Sequence, residues 1–184
     1  METTKVKDLM VTLQDYVTIS EDATIFEAVL ALEEAQKRMS EHLFPHRAVL
    51  VCNKNNKVVG KLTQWDILKS LEPKYRTIRE LKGVSGFGLS ADYVRSMIDT
   101  YDLWKAPLSD LCRKAIEVKV GSVVSAPMDH ELIDEDATLD RAVHELIMGR
   151  HQSLLVTAKG EIVGILRLVD VYRVVTDIMK ACKL

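Results

Sequence analysis

Ile19-Ser-Glu-Asp-Ala-Thr-Ile-Phe-Glu-Ala-Val29 and Ile133-Asp-Glu-Asp-Ala-Thr-Leu-Asp-Arg-Ala-Val143 are two copies of one segment in a chain of 184 residues. Two more segments follow each copy in the same order. His46-Arg-Ala-Val-Leu-Val51 returns as His151-Gln-Ser-Leu-Leu-Val156, and Val58-Val-Gly-Lys-Leu-Thr-Gln-Trp-Asp66 returns as Ile162-Val-Gly-Ile-Leu-Arg-Leu-Val-Asp170. A duplication of this extent restricts the fold to two units of the same design.

The design can be read from either copy. Tyr16–Ile19 is rich in β-formers, and Thr24-x-x-Glu27 is a capping box that opens a helix. That helix places Ile25, Ala28, Val29, Leu32 and Ala35 on one stripe, the mark of a core-packed face. Arg47–Cys52 reads as a buried strand, and Asn53–Lys57 as a polar turn into the strand Val58–Leu62, where Gly60 admits a close neighbour. Thr63-x-x-Asp66 then caps a second helix carrying Ile67, Leu68 and Leu71. In the second copy the closing helix repeats Val171, Val174, Val175, Ile178 and Cys182 at intervals of three or four.

Two readings compete for the Thr63/Asp66 turn. In one, the hydroxyl and the carboxylate only satisfy the free N–H groups of the first helical turn. In the other, those N–H groups and Thr63 attract a phosphate while Asp66 accepts hydrogen bonds from a sugar diol.

Between the copies, residues 72–118 match neither. Gly83-Val-Ser-Gly-Phe-Gly88 lacks a preceding strand and dinucleotide spacing, so it reads as a connector. Ser90 is placed to cap a helix carrying Tyr93, Val94, Met97, Ile98 and Tyr101. Pro107 is placed to open another with Leu108, Leu111, Cys112 and Ala115.

The chain is 47% hydrophobic and 28% charged with a formal net charge of −2, which gives no basic footprint for nucleic acid or an anionic membrane. Cys52, Cys112 and Cys182 are widely spaced, odd in number and form no C-x-x-C, so neither a zinc site nor a disulfide framework is suggested, and no apolar run is long enough to span a bilayer. The expectation is a cytoplasmic protein. His42 and His46 have the spacing of helical metal ligands, but Pro45 interrupts them and no third ligand follows, so no metal site is expected. His130, His144 and His151 have no nucleophile motif beside them, and no catalytic constellation is visible.

These residues together resemble a tandem pair of CBS domains (named for cystathionine β-synthase), the Bateman module. The resemblance rests on the two Glu-Asp-Ala-Thr helix entrances and on Gly60-Lys-Leu-Thr63-Gln-Trp-Asp66, which is similar to the family's nucleotide signature. It implies an α+β fold of two βαββα units, residues 1–71 and 119–184, packed sheet to sheet with pseudo-twofold symmetry, plus a helical insert at 72–118. It also implies a regulatory homodimer, not an enzyme, that binds AMP, ADP, ATP or S-adenosylmethionine and acts on a partner protein. By the same resemblance Asp66 would hold the ribose and Thr63 the phosphate, Val17, Thr18, Ala48 and Val49 would line an adenine slot, and His46 and Arg47 would face the phosphate. A second cleft would involve Ile133, Ser153, Arg167 and Asp170. There Arg167 replaces the family's small hydroxyl, and a salt bridge to Asp170 is expected. The alternative is a ligand-free interaction scaffold that docks a partner on Tyr93, Met97 and Tyr101 of the insert.

Overall fold

A computed structural model of the chain describes residues 4–38, 45–75, 78 and 90–182. In the first repeat, β2 (Thr18–Ser20) runs parallel to β3 (Ala48–Cys52), and β3 pairs antiparallel with β4 (Val58–Thr63). A parallel pair needs a long crossover. Helix α1 (Ile25–Arg38) lies within it, burying Ile25, Ala28 and Leu32 against Val49, Val51 and Leu62, and α2 (Gln64–Leu71) closes the unit.

The second repeat reproduces this with β5 (Leu132–Asp134), α5 (Leu139–Met148), β6 (Ser153–Ala158), β7 (Glu161–Arg167) and α6 (Leu168–Ala181). Even the register irregularity recurs, at Val51/Cys52 and at Val156/Thr157. The hairpins turn differently. Asn53 ties the first by accepting from Asn55 and Lys57, whereas Lys159 and Gly160, both at positive φ, make a two-residue turn in the second.

The two sheets pack face to face through Leu50 and Leu155, both fully buried, with Tyr16 and Ile165 completing the layer and Val17, Val58, Leu132 and Ile162 at its margin. Leu50 lies opposite Lys61 and Leu155 opposite Ile165 in their hairpins, so the layer carries the pseudo-twofold relation of the repeats.

The leaders of the two repeats are exchanged. β1 (Val11–Thr12) joins the sheet of the second repeat beside β7, and Val6 is buried among Ile133, Leu139 and Leu166. In return, Val120 is buried among Ile25, Leu32 and Leu62 of the first. The bridges Lys5 to Thr138 and Thr24 to Lys119 fix both crossings. The two signature glycines accommodate the borrowed segments. A Cβ on Gly164 would meet the Val11 carbonyl oxygen at 2.5 Å, and one on Gly60 would meet Val124 Cγ1 at 2.6 Å. The close neighbour foreshadowed at Gly60 is therefore the other repeat's chain.

In the insert, Ser90 caps α3 (Ala91–Thr100) by accepting from the Tyr93 N–H, and α4 (Leu108–Glu117) follows Pro107 and packs on α1 and α2. The turn between them is pinned to the end of α2 by Glu72. This buried carboxylate accepts from the Trp104 N–H at 2.8 Å, while Lys74 Nζ donates to the Tyr101 and Asp102 carbonyls. Those bonds hold Asp102 and Trp104 at φ values of 49° and 59°, a left-handed conformation that side chains of this size rarely adopt. Tyr93 and Met97 are half-buried and Cys112 is exposed, so the outward apolar side chains of α3 are Val94 and Ile98. The connector at Gly83–Gly88 lies outside the described residues. No described helix is long and apolar enough to cross a membrane.

Candidate functional site

Each repeat turns a corner where its last strand meets its last helix. At the first corner β4 ends in an extended Thr63 (φ −90°, ψ 164°), which caps α2. Thr63 donates its N–H to Asp66 Oδ2 at 2.9 Å and its hydroxyl to the same oxygen at 2.5 Å, and it accepts from the Asp66 N–H at 3.2 Å. One carboxylate oxygen carries the whole cap. Asp66 Oδ1 has no hydrogen-bond partner among the described residues.

The wall facing this corner comes from the second repeat. Lys61, two residues before Thr63, donates to the Ser153 carbonyl at 2.8 Å and pairs with Glu131 at 3.3 Å, its side chain only 11% exposed. Burial pushes the Lys61 ammonium below its ordinary pKa, against the pull of Glu131 and Asp66. Burial also works to raise Glu131, but the Met128 N–H and Lys61 outweigh it and hold that carboxyl low. His130 and His151 stack beside them with ring centroids 5.2 Å apart. Burial, then Lys61, push the His151 pKa down.

The second corner has the same backbone and different chemistry. Arg167 is extended (φ −94°, ψ 140°) and precedes α6, but its guanidinium grips Asp170 through both oxygens, Nε to Oδ2 at 2.5 Å and Nη2 to Oδ1 at 2.8 Å. The side chains of the pair are 9% and 8% exposed. Here too the opposing wall belongs to the other repeat. Arg167 Nη1 lies 3.2 Å from His46 Nδ1, and the His46 ring packs on Tyr16, whose hydroxyl donates to the Ala48 carbonyl at 3.0 Å. Burial and the adjacent Arg167 push the His46 pKa down to about 4, and burial pushes Tyr16 up to about 12. A cavity of about 770 Å³ opens on this corner, lined by Tyr16, Val17, Ala35, Arg38, His46 and Arg167 among others.

The residues that the resemblance assigns to one site are thus divided. Thr63 and Asp66 are together at the first corner, with Ala48 opposite Thr63 in the hairpin. Val17 and His46 line the second corner instead. Thr18 is exposed on β2, while Val49 is buried in the first repeat's core and Ile133 in the second's. Arg47 is exposed and donates to Gln152 Oε1 at 3.1 Å, joining the two equivalent strands. Ser153 lies opposite Arg167 in its hairpin, yet its carbonyl serves Lys61 of the first corner.

The division has a physical cause. Sheets packed about a pseudo-twofold axis bring the carboxylate corner of one repeat against the strand entrances of the other. Lys61, Glu131, His130, His151 and Tyr16 were missed for that reason, although one signal was present. Lys61 is a charge in an apolar strand, at the position where the second copy has Ile165, and Glu131 matches Val17. Among the described residues no group of three metal-ligating side chains is assembled. His42 lies outside them.

A family model described as the CBS domain matches residues 6–73 and 120–177. No curated protein matches the chain. Among solved structures, CBSX2 in complex with AMP is 19% identical, with 95% of this chain and 98% of that one covered and a TM-score of 0.57. CBSX2 from Arabidopsis thaliana is 18% identical, with 96% of each chain covered and a TM-score of 0.60. A CBS domain-containing protein of unknown function from Bacillus anthracis is 16% identical over 96% and 95% of the two chains, with a TM-score of 0.62. Identities this low speak for the fold alone. With the family model matching each repeat and CBS-pair structures matching nearly the whole length, the chain belongs to the CBS domain family and is a tandem pair of its domains.

Proposed function

We propose that this CBS pair is a regulatory module that binds an adenine nucleotide at the first corner and passes its occupancy to a partner protein. The observation that carries the reading is the unspent oxygen of Asp66. The cap consumes Oδ2 alone, so Oδ1 remains to accept from a ribose hydroxyl beside the N-terminus of α2, where the helix dipole favours a phosphate although the Gln64 and Asp66 N–H groups are already taken by the Arg47 carbonyl and Thr63 Oγ1. The AMP complex of CBSX2 supports the choice of ligand class. The candidates are AMP, ADP, ATP and S-adenosylmethionine, with Thr63 and Arg47 toward the phosphate. The site spans both repeats, so a ligand that favours one arrangement of them over another produces a signal.

Asp66→Ala is expected to weaken nucleotide binding by roughly 1.5–3 kcal/mol, about 10- to 150-fold, the range for hydrogen bonds to a charged group. Titration calorimetry with the four ligands reads this directly. If none of them binds the unaltered protein at millimolar concentration, the nucleotide reading is lost. The proposal includes a homodimer, in which the exposed Leu68 of α2 and its repeat counterpart Tyr172 of α6 are covered. Sedimentation of the same samples should give twice the chain mass.

The scaffold reading draws on one observation, the exposure of Val94 and Ile98 on α3. It predicts no response to any of the four ligands.

A further inference from the structure

We propose that Arg167 is a built-in occupant of the second corner, so that each chain takes one nucleotide, at the first corner, and excludes a second. The inference rests on the nucleotide reading of the first corner and goes on to fix its stoichiometry.

The two corners share a backbone course and differ in who holds the carboxylate. At the first, Thr63 uses one oxygen of Asp66. At the second, Arg167 uses both oxygens of Asp170 and leaves neither for a ribose hydroxyl. A third anchor, His46 Nδ1 of the other repeat, keeps the guanidinium in place. Space is not what excludes the ligand, because the cavity of about 770 Å³ beside Arg167 falls within the range of small-molecule sites. A nucleotide whose ribose used Asp170 would have to displace a bidentate charge-assisted pair, and the bonds that a neutral diol offers a carboxylate are weaker than those of the guanidinium.

Threonine at position 167 fits the same geometry. Arg167 and Thr63 have nearly the same φ, both are extended, and each stands three residues before its aspartate. In Arg167→Thr the new hydroxyl and the backbone N–H are expected to cap Asp170 through one oxygen, as Thr63 caps Asp66, leaving the other oxygen open to the cavity.

The test is equilibrium dialysis of radiolabelled AMP against the full chain, with near-ultraviolet circular dichroism to verify folding. Arg167→Ser serves as a second variant if Arg167→Thr does not fold. The expected result is one AMP per chain for the unaltered protein and two for the variant. Two AMP per unaltered chain would overturn the inference while leaving the nucleotide reading intact. One AMP per chain in folded Arg167→Thr or Arg167→Ser would overturn it as well. If the unaltered chain binds none and the variant binds one, the first-corner reading falls and the blocking role of Arg167 stands. If neither binds, both fall.

Discussion

Asp170→Ala is expected to cost about 3–5 kcal/mol of folding stability, because it removes the carboxylate that holds the buried Arg167 guanidinium through two bonds. The loss lies in the missing partner. A buried ion pair is often worth little more than the apolar side chains that could replace it, since both charges gave up water to form it. Arg167→Met combined with Asp170→Leu should therefore recover most of the stability that Asp170→Ala loses. Urea unfolding of the three proteins at neutral pH provides the comparison. A loss below about 1 kcal/mol for Asp170→Ala would mean that Arg167 reaches solvent or another anion, against the burial described here.

Acidification is expected to destabilise the protein well before its carboxylates titrate, and His46 is the main cause. Its ring is buried against Tyr16, Arg167 Nη1 donates to its Nδ1, and its pKa is pushed down to about 4 from an ordinary 6.5. Between these values the unfolded chain binds a proton that the folded chain refuses, so stability rises with pH. The contribution is fully present above about pH 6.5 and is lost as pH falls through about 4, a change of about 3 kcal/mol. His151, also shifted down, acts in the same direction from the first corner. His46→Asn, with a side-chain oxygen near the Nδ1 position, should keep the bond from Arg167 and remove most of the slope. Melting temperatures measured across this pH interval would show it. A curve as steep in His46→Asn as in the unaltered protein would assign the dependence to another group.

The elements were legible in the sequence for a local reason. Capping boxes, as at Thr24-x-x-Glu27 and Thr63-x-x-Asp66, apolar stripes and β-rich runs are written within ten residues of one another, and the duplication repeated the stripes and the strands. The Arg167–Asp170 pair was legible too, since three residues at a helix start place the two side chains side by side. What the sequence hid was the pairing of distant parts. Nothing in Val6-Lys-Asp-Leu-Met10 says which sheet it will join, and aligning the copies suggests that each repeat holds its own ligand wall. Hence Val17 and His46 were assigned to the corner of Asp66, whereas the packing sets them against Arg167. Glu72 gave no sign of its role either. Its partners lie about thirty residues away, in a turn whose conformation depends on them.

The crossing of Val6 and Val120 means that neither repeat fills its own core. A single repeat standing alone would need a second molecule to lend it the missing leader. In one chain that loan is tethered, so it does not depend on protein concentration. Covalent joining also lets the two corners differ, Thr63 at one and Arg167 at the other, a specialisation closed to any assembly of identical halves.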